Sequence, residues 1–557
     1  MTSQFSAEIA PVIVIGAGPV GLGAALELAR CGLRSIVIEK NNRTSWHPKT
    51  RNFNTRTMEI ARGWGRAIYD ELRGLDLPPN WKTPIRFVDC VAGNETGHIV
   101  SNGFAGAGPE LSPVSSVLSS QDMIEPVMLR ELRRTGMADI RFSHEVVEIV
   151  RGQEEDANDV AIKVRDLATG QVQTLTAPAL VAADGAASYV RTALDIALDG
   201  PKKISFNINC YFKADLEKYV GERTGILFFY SNPRASGVFQ PLDSTGRWLS
   251  QIYVPEELWS TDIFNAERCI ETIRAGAGVD DLDVEVLSIG KWTMNAVVGR
   301  NLVAGRILLM GDAAHMFPPT GGLGVNTGMQ GVHNGIWKLA LYLKGKAGRS
   351  LLKTYETERR PVARWVADQS HHNAQQVRKL GAISRGEASP DGMNRDEILQ
   401  ATRRYGNHIG LELGTIYKSQ AVVPDGSEPP AVGDPYTDYV PSGHPGARAP
   451  HVWLEKDGER FSTIDLAGPE FSVIAGRNGH AWKATTESAA KHSKLALPCH
   501  VIGEAGRDVE GTFARRFGVS DDGAVLVRPD GYIAWRAQSF DQGASKLLSN
   551  ALDQILA

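Results

Sequence analysis

The run Val12-Ile13-Val14-Ile15-Gly16-Ala17-Gly18-Pro19-Val20-Gly21 decides the fold. Four consecutive β-branched residues read as a parallel strand buried on both faces. Glycines at 16, 18 and 21 supply a tight turn, a bare backbone and close strand-to-helix packing, the spacing of a dinucleotide-binding turn. Leu22 to Arg30 is rich in Ala and Leu and predicts a helix, ended by Gly32. A second buried strand, Arg34 to Ile38, delivers Glu39, 18 residues past Gly21, where a carboxylate can accept hydrogen bonds from a ribose. One β-α-β unit is written out in order, and its helix N-terminus offers free N–H groups to a pyrophosphate.

Outward from this unit the pattern becomes mixed. Gln121 to Thr135 predicts an amphipathic helix, Glu145 to Val150 and Asp159 to Val164 a strand pair, and Ala179 to Ala183 another buried strand. Alternating strands are expected over Ile204–Phe212, Gly225–Tyr230, Trp248–Val254 and Val284–Trp292. A buried strand returns at Arg306 to Asp312, followed by a long helical stretch from about Gly328 to Val377. Pro and Gly cluster between Pro424 and Ala449, which marks a boundary. Beyond it, Ala524–Val527 and Tyr532–Trp535 flank Arg528-Pro529-Asp530-Gly531, a hairpin signal.

The expected fold class is α/β: a Rossmann-like dinucleotide unit (residues 1–200 and 295–400) interwoven with a β-sheet substrate unit (201–294, with part of 80–120). A linker (401–440) and a C-terminal unit (441–557) follow.

Composition excludes several classes. With 557 residues, 42% apolar and 22% charged, the chain can bury a large core and is not disordered. Sixty Lys and Arg against 64 Asp and Glu leave a net charge of −4, without the basic surplus of a nucleic-acid binder. Five scattered cysteines form no C-x-x-C motif and fit a reducing compartment, the cytoplasm. Met1 to Ala10 lacks a basic n-region, and no apolar stretch reaches membrane-spanning length. No metal site, G-x-S-x-G, H-E-x-x-H or P-loop pattern occurs. His371-His372 read as an exposed helix face, and His315 as a residue that orders its loop.

Two further segments carry a resemblance. They are Ala183-Asp184-Gly185-Ala186-Ala187-Ser188-Tyr189-Val190-Arg191 and Gly311-Asp312-Ala313-Ala314-His315, continuing through Pro318-Pro319-Thr320-Gly321-Gly322-Leu323-Gly324-Val325-Asn326. With the N-terminal turn, they resemble the three fingerprints of the class A FAD-dependent aromatic monooxygenases, which share the para-hydroxybenzoate hydroxylase fold. The C-terminal segment looks like the thioredoxin-like domain of the phenol and polyketide hydroxylase branch. It holds only Cys499, so no dithiol cycle is expected, and a structural or homodimer-contact role is.

The resemblance implies FAD as cofactor, NADPH or NADH as transient reductant, O2 as co-substrate and a flavin C4a-hydroperoxide that hydroxylates a phenolic or polycyclic aromatic substrate. The alternative keeps fold and cofactor but performs epoxidation, Baeyer–Villiger insertion or oxidative decarboxylation on a polycyclic natural product. It places Gly16, Gly18, Gly21, Glu39, Lys40, Arg51, Gln121, Asp184, Gly185, Asp312, Pro319, Gly322, Gly324, Val325 and Asn326 at the cofactor. Arg51 and Pro318 are the candidates for the reacting centre. From strand alternation, Asn209, Tyr211, Tyr230, Gln251, Tyr253 and Trp292 are candidates for the substrate wall. A base or acceptor near the substrate hydroxyl is also expected, because a phenolate reacts faster than a phenol.

Overall fold

The computed structural model describes residues 10–384, 386–389 and 391–557; the expectation for the first nine residues lies outside them. The first sheet has six strands in the order Val303–Ala304, Ile307–Leu309, Leu180–Ala182, Val12–Ile15, Ser35–Ile38, Ala138–Arg141. All neighbours are parallel except the first pair. Val12 to Ile15 are buried throughout, as a strand covered on both faces requires. The helices Pro19–Arg30, Gln121–Thr135 and Gly324–Leu343 pack against this unit. The helical stretch expected over 328–377 is two helices, Gly324–Leu343 and Arg349–Ser384. The break falls at Gly345, whose φ of 63° no helix accommodates.

The second sheet has seven strands in the order Glu285–Met294, Ser205–Lys213, Arg247–Val254, Ser236–Pro241, Leu227–Ser231, Pro84–Val88, Glu95–Val100. The hairpin Pro84–Val100 thus joins a sheet whose other strands come more than a hundred residues later, through a parallel pairing with Leu227–Ser231. One face carries Phe212, Phe228, Tyr230, Phe239, Trp248 and Ile252 into a core closed by the helix Ala266–Ala277. The opposite face is free to line a site.

Past residue 450, a four-stranded sheet runs Cys499–Val501, Ser472–Ala475, Ala524–Val527, Ile533–Ala537. Its first pair is parallel and the others antiparallel. The turn of the last hairpin plunges into the first unit. Arg528 there donates to both carboxylate oxygens of Glu358 (2.7 and 2.9 Å) and to Asp530, while Lys338 donates to Glu358 at 2.8 Å. All four side chains are buried, and the guanidinium also lies against the rings of Trp337, Tyr417 and Tyr532. A second knot joins Arg448 and Arg56 to Glu59.

Residues 401–440 lead from the first unit to the C-terminal one and are folded. They hold the helical turns Arg403–Gly406 and Ile409–Leu413, and His408, Glu412 and Leu413 among them are fully buried.

Candidate active site

Between the two sheets lies one cavity of about 1360 Å³. That exceeds the roughly 300–1,000 Å³ of an ordinary small-molecule pocket and leaves room for two molecules. Its two halves have different walls.

The first half is built on the glycine turn. Gly16 (φ +98°) crosses the strand edge so closely that a Cβ would lie 2.3 Å from the Ala183 carbonyl. Gly21 does not reach the cavity; a Cβ there would lie 1.9 Å from the Gly16 carbonyl, so its role is packing. Gly18 and Gly324 meet the opposite condition: a Cβ at Gly324 would stand in open space, and one at Gly18 would only touch Glu125 Oε1 at 3.9 Å. Each begins or precedes a helix that has no side-chain cap, so backbone N–H groups are left facing the cavity.

Glu39 lines this half, but its carboxylate is already engaged. It accepts from the backbone N–H of Ala17 at 2.8 Å and of Asn41 at 2.9 Å. Asp184 likewise accepts from Ser188 Oγ (2.6 Å) and the Val190 N–H (3.1 Å), capping the short helix Tyr189–Ala193 and leaving Gly185 backbone exposed to the cavity. Asp312 has no such partner. Its side chain is exposed to the cavity, and the protein around the cavity mouth pushes its pKa up to about 6 against the pull of Lys49 and Arg191. Lys40, Gln121, Pro319, Gly322 and Val325 also line the cavity.

Asn326 does not line it. Its carboxamide accepts from the Asn54 N–H and Thr57 Oγ1 and donates to the carbonyls of Asn52 and Gly322, which clamps the loop in front of the helix. Sequence reasoning missed Glu125. This almost fully buried carboxyl accepts from Gln121 Nε2 and the Ser45 N–H, both at 2.6 Å, beside Gly18. Burial first, and the Glu39 charge as well, push it up to about 7.

The second half is the free face of the seven-stranded sheet, with Asn209, Gln251, Tyr253 and Trp292 on it as alternation predicts. Trp292 Nε1 donates to Asn209 Oδ1 at 2.8 Å. Two candidates fall elsewhere. Tyr230 points through the opposite face into the core, stacked on Phe239, and Leu227 and Phe229 of its strand face the cavity instead. The strand Leu-Phe-Phe-Tyr is apolar at every position, so periodicity could not separate its faces. Tyr211 shares a face with Asn209 but lies past the rim, beside Leu242 and Leu249, where its hydroxyl accepts from Arg247.

Arg51 spans both halves. It donates to the carbonyls of Ile226 (2.7 Å) and Pro241, and burial pushes its pKa down to about 10. Pro318 lines the cavity close by in sequence to Pro319 and Gly322. His47, in the loop before Arg51, forms a 2.6 Å hydrogen bond with Ser288 Oγ on the sheet edge. Burial, then Lys49, push this imidazole down to about 4, so it is neutral near pH 7. Tyr405 and Phe104 close the wall, each ring edge-on to the other and Tyr405 edge-on to Phe229. His315 stacks flat on Phe317 behind the loop. Among the described residues, no helix is long and apolar enough to cross a membrane.

Comparisons with known proteins agree with this two-part cavity. The profile of the FAD binding domain matches residues 9–370, and that of the aromatic-ring hydroxylase C-terminal region matches 442–557. A 4-methyl-5-nitrocatechol 5-monooxygenase of a Burkholderia species is 36% identical, over 98% of this chain and 97% of that one. A tetracenomycin A2 monooxygenase-dioxygenase of Streptomyces glaucescens is 34% identical, over 99% and 98%. The crystal structure of the flavin-dependent monooxygenase PieE with FAD and substrate superposes with a TM-score of 0.90 at 32% identity, over 98% of this chain and 99% of that one.

Proposed function

We propose a substrate class and a set of residue roles from one premise: the chain belongs to the FAD-dependent aromatic-ring hydroxylases. It is a monooxygenase that consumes NAD(P)H and O2. The cavity fits FAD on its own evidence: a Cβ at Gly18 or Gly324 would fill the bare cradle at two uncapped helix starts, and Asp312 is a carboxyl without a partner. The first half would hold the cofactor through Gly16, Gly18, Gln121, Asp312, Pro319, Gly322, Gly324 and Val325, with Glu39, Asp184 and Asn326 shaping the loops. When bound, FAD supplies the two-electron reduction by NAD(P)H and the activation of O2.

The remaining work falls to the chain. The sheet face orients the ring, and the apolar wall of Leu227, Phe229, Val238 and Leu249 excludes water. His47, neutral and held by Ser288, accepts the hydrogen bond or proton of the substrate hydroxyl at its free ring nitrogen. The observation that carries the substrate class is the apolar wall of Leu227, Phe229, Val238 and Leu249 beside the neutral His47. Arg51 has two of its five N–H groups tied to protein carbonyls, which fixes it against that wall. This lining favours an uncharged, hydroxylated aromatic.

The test is anaerobic reduction by NADPH or NADH, then air, with neutral phenols set against hydroxybenzoates and peroxide measured. Product matching nicotinamide consumption for the neutral phenols is expected. Preference for the carboxylates would overturn the class. His47→Gln should lower kcat/KM roughly 10²-fold, and the wild-type rate should fall only as pH drops toward about 4.

For the C-terminal unit we infer a thioredoxin-like arrangement, supported by its parallel pair followed by an antiparallel hairpin. Its role is structural, with a homodimer contact to be tested by sedimentation. Five free cysteines support work in the cytoplasm.

A further inference from the structure

Two phenol hydroxyls in the substrate half have no hydrogen-bond partner. Tyr253 stands on the free face of the seven-stranded sheet, and Tyr405 on the Arg403–Gly406 turn, about 150 residues later in the chain. Both line the cavity, and no protein group hydrogen-bonds to either hydroxyl among the described residues. The two hydroxyls lie close enough to influence one another electrostatically, and Arg51 lies beside Tyr405 with two of its N–H groups committed to Ile226 and Pro241.

An apolar wall alone does not call for these oxygens. Tyr405 meets Phe104 and Phe229 with its ring, which phenylalanine would do equally well. Both hydroxyls open onto the cavity, where a ligand that displaces water must replace the hydrogen bonds water makes to them. Burial pushes Tyr253 up to about 12 and Tyr405 further above the phenol range, so both stay protonated and act as donors. Donors facing an empty volume call for an acceptor.

Their placement says where on the ligand that acceptor sits. Ser288, which holds His47, pairs through Tyr211 with Leu249 across the sheet. Tyr253 is four residues further along the Leu249 strand, roughly 13 Å at ~3.3 Å per residue. One ring with one hydroxyl does not span that distance, but fused rings oxygenated at both ends do.

We propose that Tyr253 and Tyr405 form a two-donor subsite for a carbonyl oxygen on the part of a multi-ring substrate farthest from the hydroxyl held by His47. The proposal rests on the reading of this half as the substrate site. A site built to satisfy a ligand oxygen discriminates strongly against the analogue that lacks it, because the protein groups are then left unpaired.

The experiment titrates the FAD holoenzyme with 6-hydroxy-1,4-anthraquinone, a quinone whose carbonyls lie on the ring farthest from its hydroxyl, and with 2-hydroxyanthracene, which lacks them, and follows the flavin absorption spectrum. Wild type should bind the quinone at least tenfold more tightly. Tyr405→Phe and Tyr253→Phe should each weaken the quinone about fivefold to tenfold and leave the anthracene within twofold, with FAD content unchanged. Equal binding of both ligands by wild type, or equal weakening of both by the variants, overturns the subsite while leaving the site reading intact. Failure of wild type to bind either ligand overturns the site reading, and the subsite with it.

Discussion

The junction with the C-terminal unit and the cavity between the sheets both gather polar groups, and they do so on opposite terms. At the junction every charge is answered: Arg528 by Glu358 and Asp530, Lys338 by Glu358 and Asn334. In the cavity Asp312, Tyr253 and Tyr405 have no hydrogen-bond partner among the described residues. Ionic groups paired in this way hold two units in register. Polar groups left open are the ones a ligand must satisfy. Polar groups closed off with a partner therefore mark scaffold, and those open to the cavity without one mark the site.

Three substitutions test that contrast. The largest effect is expected at the junction, where Arg528→Met leaves Asp530 buried without its cation and Glu358 with Lys338 alone. It should cost ~3–5 kcal/mol in urea unfolding, with the FAD dissociation constant of the folded fraction unchanged; a loss below ~1 kcal/mol would mean that charge does not hold the junction.

Next comes Glu125, which belongs to neither set cleanly, since it is hydrogen-bonded and yet raised to about 7 by burial. Its folded pKa lies above the unfolded one, so its contribution to stability is complete below about 4.5 and is lost as pH rises through 7. The FAD-free protein should therefore gain up to ~3 kcal/mol between pH 8 and 4.5 from this group. Glu125→Gln should remove that part of the slope.

The smallest effect is at Tyr211, outside the cavity. Tyr211→Phe should cost about 1 kcal/mol for the lost Arg247 hydrogen bond and leave KM unchanged; a changed KM would return Tyr211 to the substrate wall.

Much of the first half of the cavity is legible in the chain because its features are local. A β-branched run, three spaced glycines and an acidic residue at the next strand end all report on one contiguous β-α-β unit. The strand carrying Asn209 is legible too, because it mixes polar and apolar positions. The Leu227–Ser231 strand is not, since four apolar residues in a row conceal which face is which. Tyr405 escapes for another reason: it sits in a turn with no period, and only the tertiary fold brings it against Phe229 and Phe104. Glu125 reads as a surface helix position until Ser45 and Gly18 close over it.

The hairpin Pro84–Val100 has a consequence for synthesis. Its partner strand begins at Leu227, and at ~5–20 residues per second the ribosome needs on the order of ten seconds or more to supply it. Through that interval the inner strand of the hairpin, with Ile85, Phe87 and Val88 facing no neighbour, is an open edge of the kind that recruits stray strands. Slow translation between those two points should favour aggregation, and a chaperone acting there would have a defined client: a young hairpin waiting for the rest of its sheet.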